Sequence, residues 1–333
     1  MTFTNTAGWP DEILGIVEKS LTVEYASLTK KGVPITFPLM PQVGDDGRTL
    51  DVATGLTYPV KAERARNNPK VCLLYSEPLG CGLEGPPVVL VYGAATVRDA
   101  DLQANTDRYV RFATKRFAEL GVPIPAFFLK TMTWYLARIF VEVTPMRILW
   151  WEGGVLSKEP KAWHAPNGTQ APDSDPPPAG KGHKSLNSPL TEWRSEAEYA
   201  VNSLGKPVLT VADADGYPVP FRTQQASTTG DGFQLELFPH TPAPAQGKAS
   251  LCFHLHDEKF SWNENKTFVG EVTGDADTAF FKVDRLLAGQ SLKKGSQISV
   301  MLNMFKLRQQ LAPRLKPEAL RRGQAVPKIH MPV

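Results

Sequence analysis

Leu50-Asp51-Val52-Ala53-Thr54-Gly55-Leu56-Thr57-Tyr58-Pro59-Val60-Lys61-Ala62-Glu63-Arg64-Ala65-Arg66-Asn67-Asn68-Pro69-Lys70-Val71 passes from an apolar alternating run through a hydroxyl-rich loop into a charged segment, and closes on Asn-Pro before the next apolar run. The order predicts strand, loop, short basic helix and strand. Thr54, Thr57 and Tyr58 supply hydroxyls, Gly55 supplies a flexible backbone, and Lys61 and Arg64 place cations near the opening of the helix. Hydroxyls, cations and helix-end amides converging on one spot suit a phosphate group, because each lowers the energy of the same localised negative charge.

Working outward, a helix is expected at about residues 10 to 20, then a half-buried strand over Val23 to Leu28. A turn at Lys30-Lys31-Gly32 leads to a second strand, Val33 to Pro41, whose prolines donate no ladder hydrogen bonds and point to an edge, a bulge, or backbone facing a ligand. Gly44-Asp45-Asp46-Gly47 is a hairpin turn signal. Leu50 to Thr54, Val71 to Tyr75, Val88 to Val97 and Ala137 to Val143 supply further strands, with a charged helix from Asp99 to about Leu120. The expected class is mainly β with helical inserts.

From Trp151 to about Ser188 the pattern dissolves into Pro, Gly, Ser, Asn and Asp, which reads as a linker over 151–190. It divides a first unit, 1–150, from a second, 191–333. The second unit repeats the first: Gly32-Val33-Pro34 is answered by Gly216-Tyr217-Pro218, Val71-Cys72-Leu73 by Leu251-Cys252-Phe253, and Gly93-Ala94-Ala95-Thr96 by Gly270-Glu271-Val272-Thr273. The counterpart of the opening loop, Leu235 to Lys248, has no Lys-x-x-Arg segment and no Asn-Pro. Only the first copy is expected to hold a phosphate.

At 333 residues, 42% hydrophobic and 21% charged, the chain is long enough to bury two cores. A net charge of +3 argues against a nucleic-acid or membrane-surface partner. Cys72, Cys81 and Cys252 have no paired-ligand spacing, so neither a disulfide framework nor a metal site is expected, and a reducing compartment, the cytoplasm, is the expected location. No basic leader or long apolar run suggests export.

A Gly-x-Pro hairpin, a strand ending in Thr54-Gly55, a Lys a few residues on, then Asn68-Pro69 and a strand resembles the pyridoxamine 5'-phosphate oxidase-like superfamily of flavin- and deazaflavin-binding split β-barrels. The match covers roughly residues 20 to 150, including Ile139 to Trp150 as the closing strand and turn, and extends more faintly to the second copy. The resemblance implies two tandem split β-barrels of the FMN-binding type, a pseudo-dimer within one chain, and a monomer or homodimer in solution. It implies cofactor binding by Thr54, Gly55, Thr57, Tyr58, Lys61 and Arg64, with Leu39 and Met40 in the proline-rich strand offering backbone groups to a ring edge. The implied cofactor is FMN or the 5-deazaflavin coenzyme F-420. The implied activity is hydride transfer to or from a small organic substrate. A non-catalytic protein that binds flavin, haem or a hydrophobic ligand on the same fold is the alternative. No catalytic residue is assigned; Tyr58 and Tyr75 are candidate proton donors with packing as their competing role.

Three other features compete for function. His254 and His256 share one strand face, a spacing open to a metal or to a plain polar face. Trp134, Tyr135, Trp150, Trp151 and Trp163 suit either a planar-ligand wall or core, and Trp150 and Trp151 must point to opposite faces. The basic stretch Met304 to Arg322 reads as a solvated helix packed on the barrels, or as a counter-charge, through Arg321 and Arg322, for an anionic cofactor tail.

Overall fold

The computed structural model describes residues 3–122, 129–183, 187–188, 193–287 and 297–331. Seven strands build the body of the first unit: β1 (Val23–Leu28), β2 (Pro34–Leu39), β3 (Pro41–Val43), β4 (Leu50–Gly55), β5 (Lys70–Tyr75), β6 (Val88–Arg98) and β7 (Arg138–Trp151). They lie in the order β2-β1-β5-β6-β7-β4-β3, and every pairing is antiparallel. Because β2 runs into β3 across Met40 alone, the two ends of the sheet are one bent length of chain, and the sheet curls into a barrel. The expected long strand over 33–41 is therefore broken at Met40, between the prolines at 38 and 41 that cannot continue a ladder.

Helix α1 (Asp11–Lys19) precedes β1, α2 (Val60–Asn67) joins β4 to β5, and α3 (Leu102–Glu119) and α4 (Thr133–Leu136) lie between β6 and β7. Helix α2 stops at Asn68, which is extended because Pro69 excludes the helical conformation from its predecessor. A short strand, β8 (Lys161–His164), adds to β7. The segment read as linker then runs along the first barrel. Asp175 accepts from the Asp99 and Ala100 amides at 2.7 and 2.8 Å, and the Val97 amide donates to Ser174 Oγ.

The second unit comprises β9 (Asn187–Ser188), α5 (Trp193–Ser203), β10 (Val208–Ala212), β11 (Pro218–Thr228), β12 (Gly232–Leu237), β13 (Gly247–His256), β14 (Asn263–Gly274) and β15 (Thr278–Leu287). The order β12-β11-β10-β13-β14-β15 closes on itself through β12 and β15. The two orders superpose strand for strand, with β11 doing the work of β2 and β3 together. The molecule is thus two tandem split barrels, mainly β with helical inserts.

Register makes the duplication specific. Both copies carry a bulge at the same place, beside Gly93 in β6 and Gly270 in β14. A side chain at either glycine would collide, with Val143 in one copy and the Lys282 carbonyl in the other. One sequence equivalence changes. Ala26 faces Cys72 and its counterpart Thr210 faces Ser250, so Cys72 corresponds to Ser250 and not to Cys252. Side chains alternate with a period of two, so a two-residue slip leaves the apolar pattern unaltered and invisible in sequence.

The barrels pack face to face. Ala26, Cys72, Leu74 and Trp151, on the outer side of the first barrel, belong to the apolar cluster that fills the second. Trp150 points the other way into the first core, as the alternation required. At the seam the edge groups of Thr36 are satisfied by the second barrel. Its amide donates to Ser250 Oγ at 3.3 Å, its carbonyl accepts from Thr267 Oγ1 at 3.3 Å, and its hydroxyl meets Thr210 Oγ1 at 2.6 Å. The C-terminal helix α6 (Gln297–Arg321) returns to the first unit, where Leu307, Leu311 and Leu315 pack with residues of α3 and α4.

Candidate functional site

The loop between β4 and α2 is braced from within. Thr54 Oγ1 donates to the Tyr58 carbonyl at 3.2 Å, and the Tyr58 amide donates to the Gly55 carbonyl at 2.9 Å. Thr57 Oγ1 donates to the Trp134 carbonyl at 3.2 Å, tying the loop to α4. Both threonine hydroxyls are buried and donate to main chain, which shapes the loop. The free donors come next. Helix α2 has no side-chain cap, and its first internal bond is the Glu63 amide to the Pro59 carbonyl at 3.0 Å. The amides of Val60, Lys61 and Ala62 therefore have no acceptor within the helix.

Three cations converge on this helix end. The Lys61 ammonium lies 4.6 Å from the Phe37 ring centre and 5.5 Å from that of Tyr58, which brings β2 and its half-buried Phe37, Pro38 and Leu39 to the loop. Met40 follows, also half-buried. Arg138 opens β7 directly opposite Gly55 and is only 8% exposed. Its Nη2 donates to the Tyr109 hydroxyl at 3.0 Å, and its guanidinium stacks on Tyr109 at 4.2 Å and Tyr135 at 4.6 Å. Arg64 has a buried Nη1 with no hydrogen-bond partner.

Among the described residues no carboxylate pairs with Lys61, Arg64 or Arg138, and the charges acting on Lys61 are those two guanidinia. Burial, then Arg64, then Arg138, push the Lys61 ammonium down to about 7. Burial likewise holds Arg64 below its ordinary range, and Arg285 of the second barrel opposes it further. Half-buried cations left without counter-ions are costly, and an anion delivered to them recovers that cost. Gly55 completes the cradle. A side-chain carbon there would sit 3.3 Å from Arg138 Nη1.

Thr54, Gly55, Tyr58, Lys61, Arg64 and the Leu39–Met40 bend are thus brought together, whereas Arg138 and Arg285 went unrecognised in the sequence. Arg138 left one signal, a lone arginine heading an apolar run. The second copy has lost the cradle. By strand register, Leu237 stands for Thr54, Phe238 for Gly55 and Ala276 for Arg138, and the chain from 238 to 246 forms turns in place of a helix.

The competing features fall elsewhere. His254 Nε2 meets Glu24 Oε1 at 2.8 Å and His256 Nε2 meets Thr22 Oγ1 at 3.2 Å, both across the seam between barrels. No group of three or more metal-ligating side chains occurs among the described residues. Tyr75 is 1% exposed in the first core, and burial pushes its hydroxyl far above the ordinary range. Trp134, within α4, is buried against α3 and α6, and its neighbour Tyr135 packs on that cluster while stacking on Arg138. Arg321 and Arg322 do not wait for an anionic tail. Arg322, 3% exposed, pairs with Asp99 at 2.8 Å, Glu318 at 2.9 Å and Glu63 at 3.2 Å, and Arg321 pairs with Glu318 at 2.7 Å. Among the described residues no helix is long and apolar enough to cross a membrane.

No family model matches the chain, and no curated protein does. Among solved structures it is similar to a putative pyridoxamine 5'-phosphate oxidase from Listeria innocua, at 20% identity and a TM-score of 0.28 over 41% of this chain and 94% of that one. It is similar to an F-420 reductase, at 18% identity and a TM-score of 0.31 over 42% of this chain and 98% of that one. It is also similar to General Stress Protein 26 from Bacillus anthracis, at 17% identity and a TM-score of 0.30 over 46% of this chain and 96% of that one.

Proposed function

We propose that the chain is an oxidoreductase that holds one flavin-type cofactor per molecule, FMN in the first instance and the 5-deazaflavin coenzyme F-420 as the competing candidate, and transfers hydride to or from a small organic molecule. The observation that carries the reading is the carboxylate-free cluster of Lys61, Arg64 and Arg138 around the open end of α2. Such a cluster fits a phosphate, with the amides of Val60, Lys61 and Ala62 as its remaining donors. Either cofactor would supply hydride chemistry at its ring.

The chain's own residues would bind and orient. Lys61 and Arg64 would meet the phosphate from one side and Arg138 from the other, with Gly55 keeping the approach clear. Phe37 and Tyr58 flank Lys61 and would wall the groove between phosphate and ring. The half-buried backbone from Pro38 to Met40, interrupted by prolines, leaves main-chain groups for a polar ring edge. The second barrel, which bonds to Thr36 beside this stretch, would close the far side of that groove.

Titrating purified protein with FMN, with riboflavin and with the deazaflavin tests the reading. Tight binding of a phosphorylated cofactor, weakened about a hundredfold when the phosphate is absent, supports it. Failure of both cofactors to bind overturns it. Oxidation of reduced nicotinamide by the loaded protein then separates a catalyst from a carrier.

A further inference from the structure

We propose that the groove around Phe238 is a second ligand site, built on the duplicated counterpart of the phosphate-binding groove, and that it takes a small unphosphorylated aromatic molecule with a single negative charge. A cavity of about 510 Å³ lies there, within the range of small-molecule sites. Three of its lining residues are pseudo-symmetric equivalents of residues beside the first groove, and the rest come chiefly from the first unit. Arg222 and Thr223 stand where Pro38 and Leu39 stand, and Phe238 stands where Gly55 does. The duplication therefore preserved a groove and changed its chemistry.

Charge decides what the two grooves accept. The first has three cations and, among the described residues, no carboxylate paired with them, which suits phosphate. In the second, Arg222 is already consumed: it bonds Glu24 at 2.8 Å, Ser76 Oγ at 2.8 Å and the Lys206 carbonyl at 2.6 Å, with Glu77 at 3.6 Å. What remains is the Lys206 ammonium, which has no carboxylate partner among the described residues. Glu77 also lines the groove but stays against Arg222 at 3.6 Å, so the Lys206 ammonium, beside apolar surface from Phe238, Val88 and Leu156, is the charge left to meet one carboxylate or sulfonate on an aromatic body. A phosphate finds no helix end there, because residues 238 to 246 form turns. The site is independent of which cofactor the first groove holds.

Anilinonaphthalene sulfonate, an aromatic monoanion whose emission rises in apolar surroundings, is the probe, used on the full chain in saturating inorganic phosphate. The expected result is saturable emission at one probe per chain. Its affinity should fall several-fold in Lys206→Gln and about tenfold or more in Leu156→Trp, which fills the cavity, and remain unchanged in Lys61→Ala. Lys206 is exposed and Leu156 half-buried at the rim, so both variants should fold, which circular dichroism verifies. Absence of saturable emission, retention of affinity in either groove variant, or loss of affinity in Lys61→Ala overturns the proposal.

Discussion

Gly55 and Arg138 face each other in register across β4 and β7, close enough that a side-chain carbon on Gly55 would stand 3.3 Å from Arg138 Nη1. In the second copy Phe238 and Ala276 occupy the positions that correspond by strand register to Gly55 and Arg138. Gly55→Phe should therefore lower affinity for a phosphorylated cofactor by about a hundredfold or more while leaving riboflavin affinity, already low, little changed. Calorimetric titration of the variant checks this. Equal losses for FMN and riboflavin would place the phosphate elsewhere.

Lys61 gives the site a pH signature. Its ammonium is pushed down to about 7 by burial and by Arg64 and Arg138, against 10.5 in the unfolded chain. Between these values the unfolded chain carries a proton that the folded chain has released, so stability of the ligand-free protein should climb as pH rises from about 7 toward 10.5. Binding an anion reverses the balance by stabilising the ammonium. At pH 8 cofactor binding should therefore take up protons, and affinity should decline as pH rises above about 7. Calorimetry in buffers of different ionisation enthalpy reads the uptake directly, and Lys61→Met should abolish it.

Arg64 separates stability from binding. Its Nη1 is buried without a partner, and burial holds the guanidinium below its ordinary range, so the free protein carries an unrelieved penalty. Arg64→Met keeps the stem and removes the charge. The ligand-free variant should gain about 1 kcal/mol in denaturant unfolding, and its affinity for a phosphorylated cofactor should drop about tenfold. A loss of stability would mean that Arg64 serves the fold.

A buried carboxylate, Glu24, sits in the seam between barrels. Glu24 is 0% exposed, and although burial alone would raise its carboxyl, Arg222, His254 and Ser76 hold it below the usual 4.5. A depressed carboxyl contributes stability that is fully present above about 4.5 and is lost as pH falls through the lowered folded value. Glu24→Gln removes the carboxylate from His254 and leaves Arg222 with the Glu77 carboxylate at 3.6 Å alone, and should cost about 3 kcal/mol at neutral pH. Its unfolding free energy should also fall less steeply on acidification below pH 4.5 than that of the parent chain.

Local order and long-range partnership differed in how far the sequence showed them. The strand, loop, helix and strand from Leu50 to Val71 was readable because each boundary is set by neighbours: Gly55 and Pro59 frame the loop, and Pro69 ends α2. The cations that complete the site were only half readable. Lys61 and Arg64 lie on the quoted stretch, whereas Arg138 reaches it only through β4–β7 register, which no local pattern encodes. The fate of Arg321 and Arg322 was hidden for the same reason, since Asp99, Glu63 and Glu318 meet them only after α6 returns to the first barrel. Cys72 and Cys252 are paired by eye but not by register, because apolar alternation tolerates a two-residue slip.

One phosphorylated cofactor per chain is the outcome that the asymmetry of the two copies requires. The second copy differs at three points: Phe238 stands in place of Gly55, Ala276 supplies no guanidinium, and turns replace the helix whose amides would cap the anion. Phe238→Gly restores only the first of these. Space without charge does not hold a phosphate, because transferring an anion out of water needs compensating donors at the end of the transfer. The variant should therefore still bind one equivalent of FMN, and Phe238→Gly combined with Lys61→Ala should show the weak binding of Lys61→Ala alone. A stoichiometry of two in the single variant, read by calorimetry or by bound-flavin absorbance, would mean that Lys61, Arg64 and Arg138 are not what selects the phosphate.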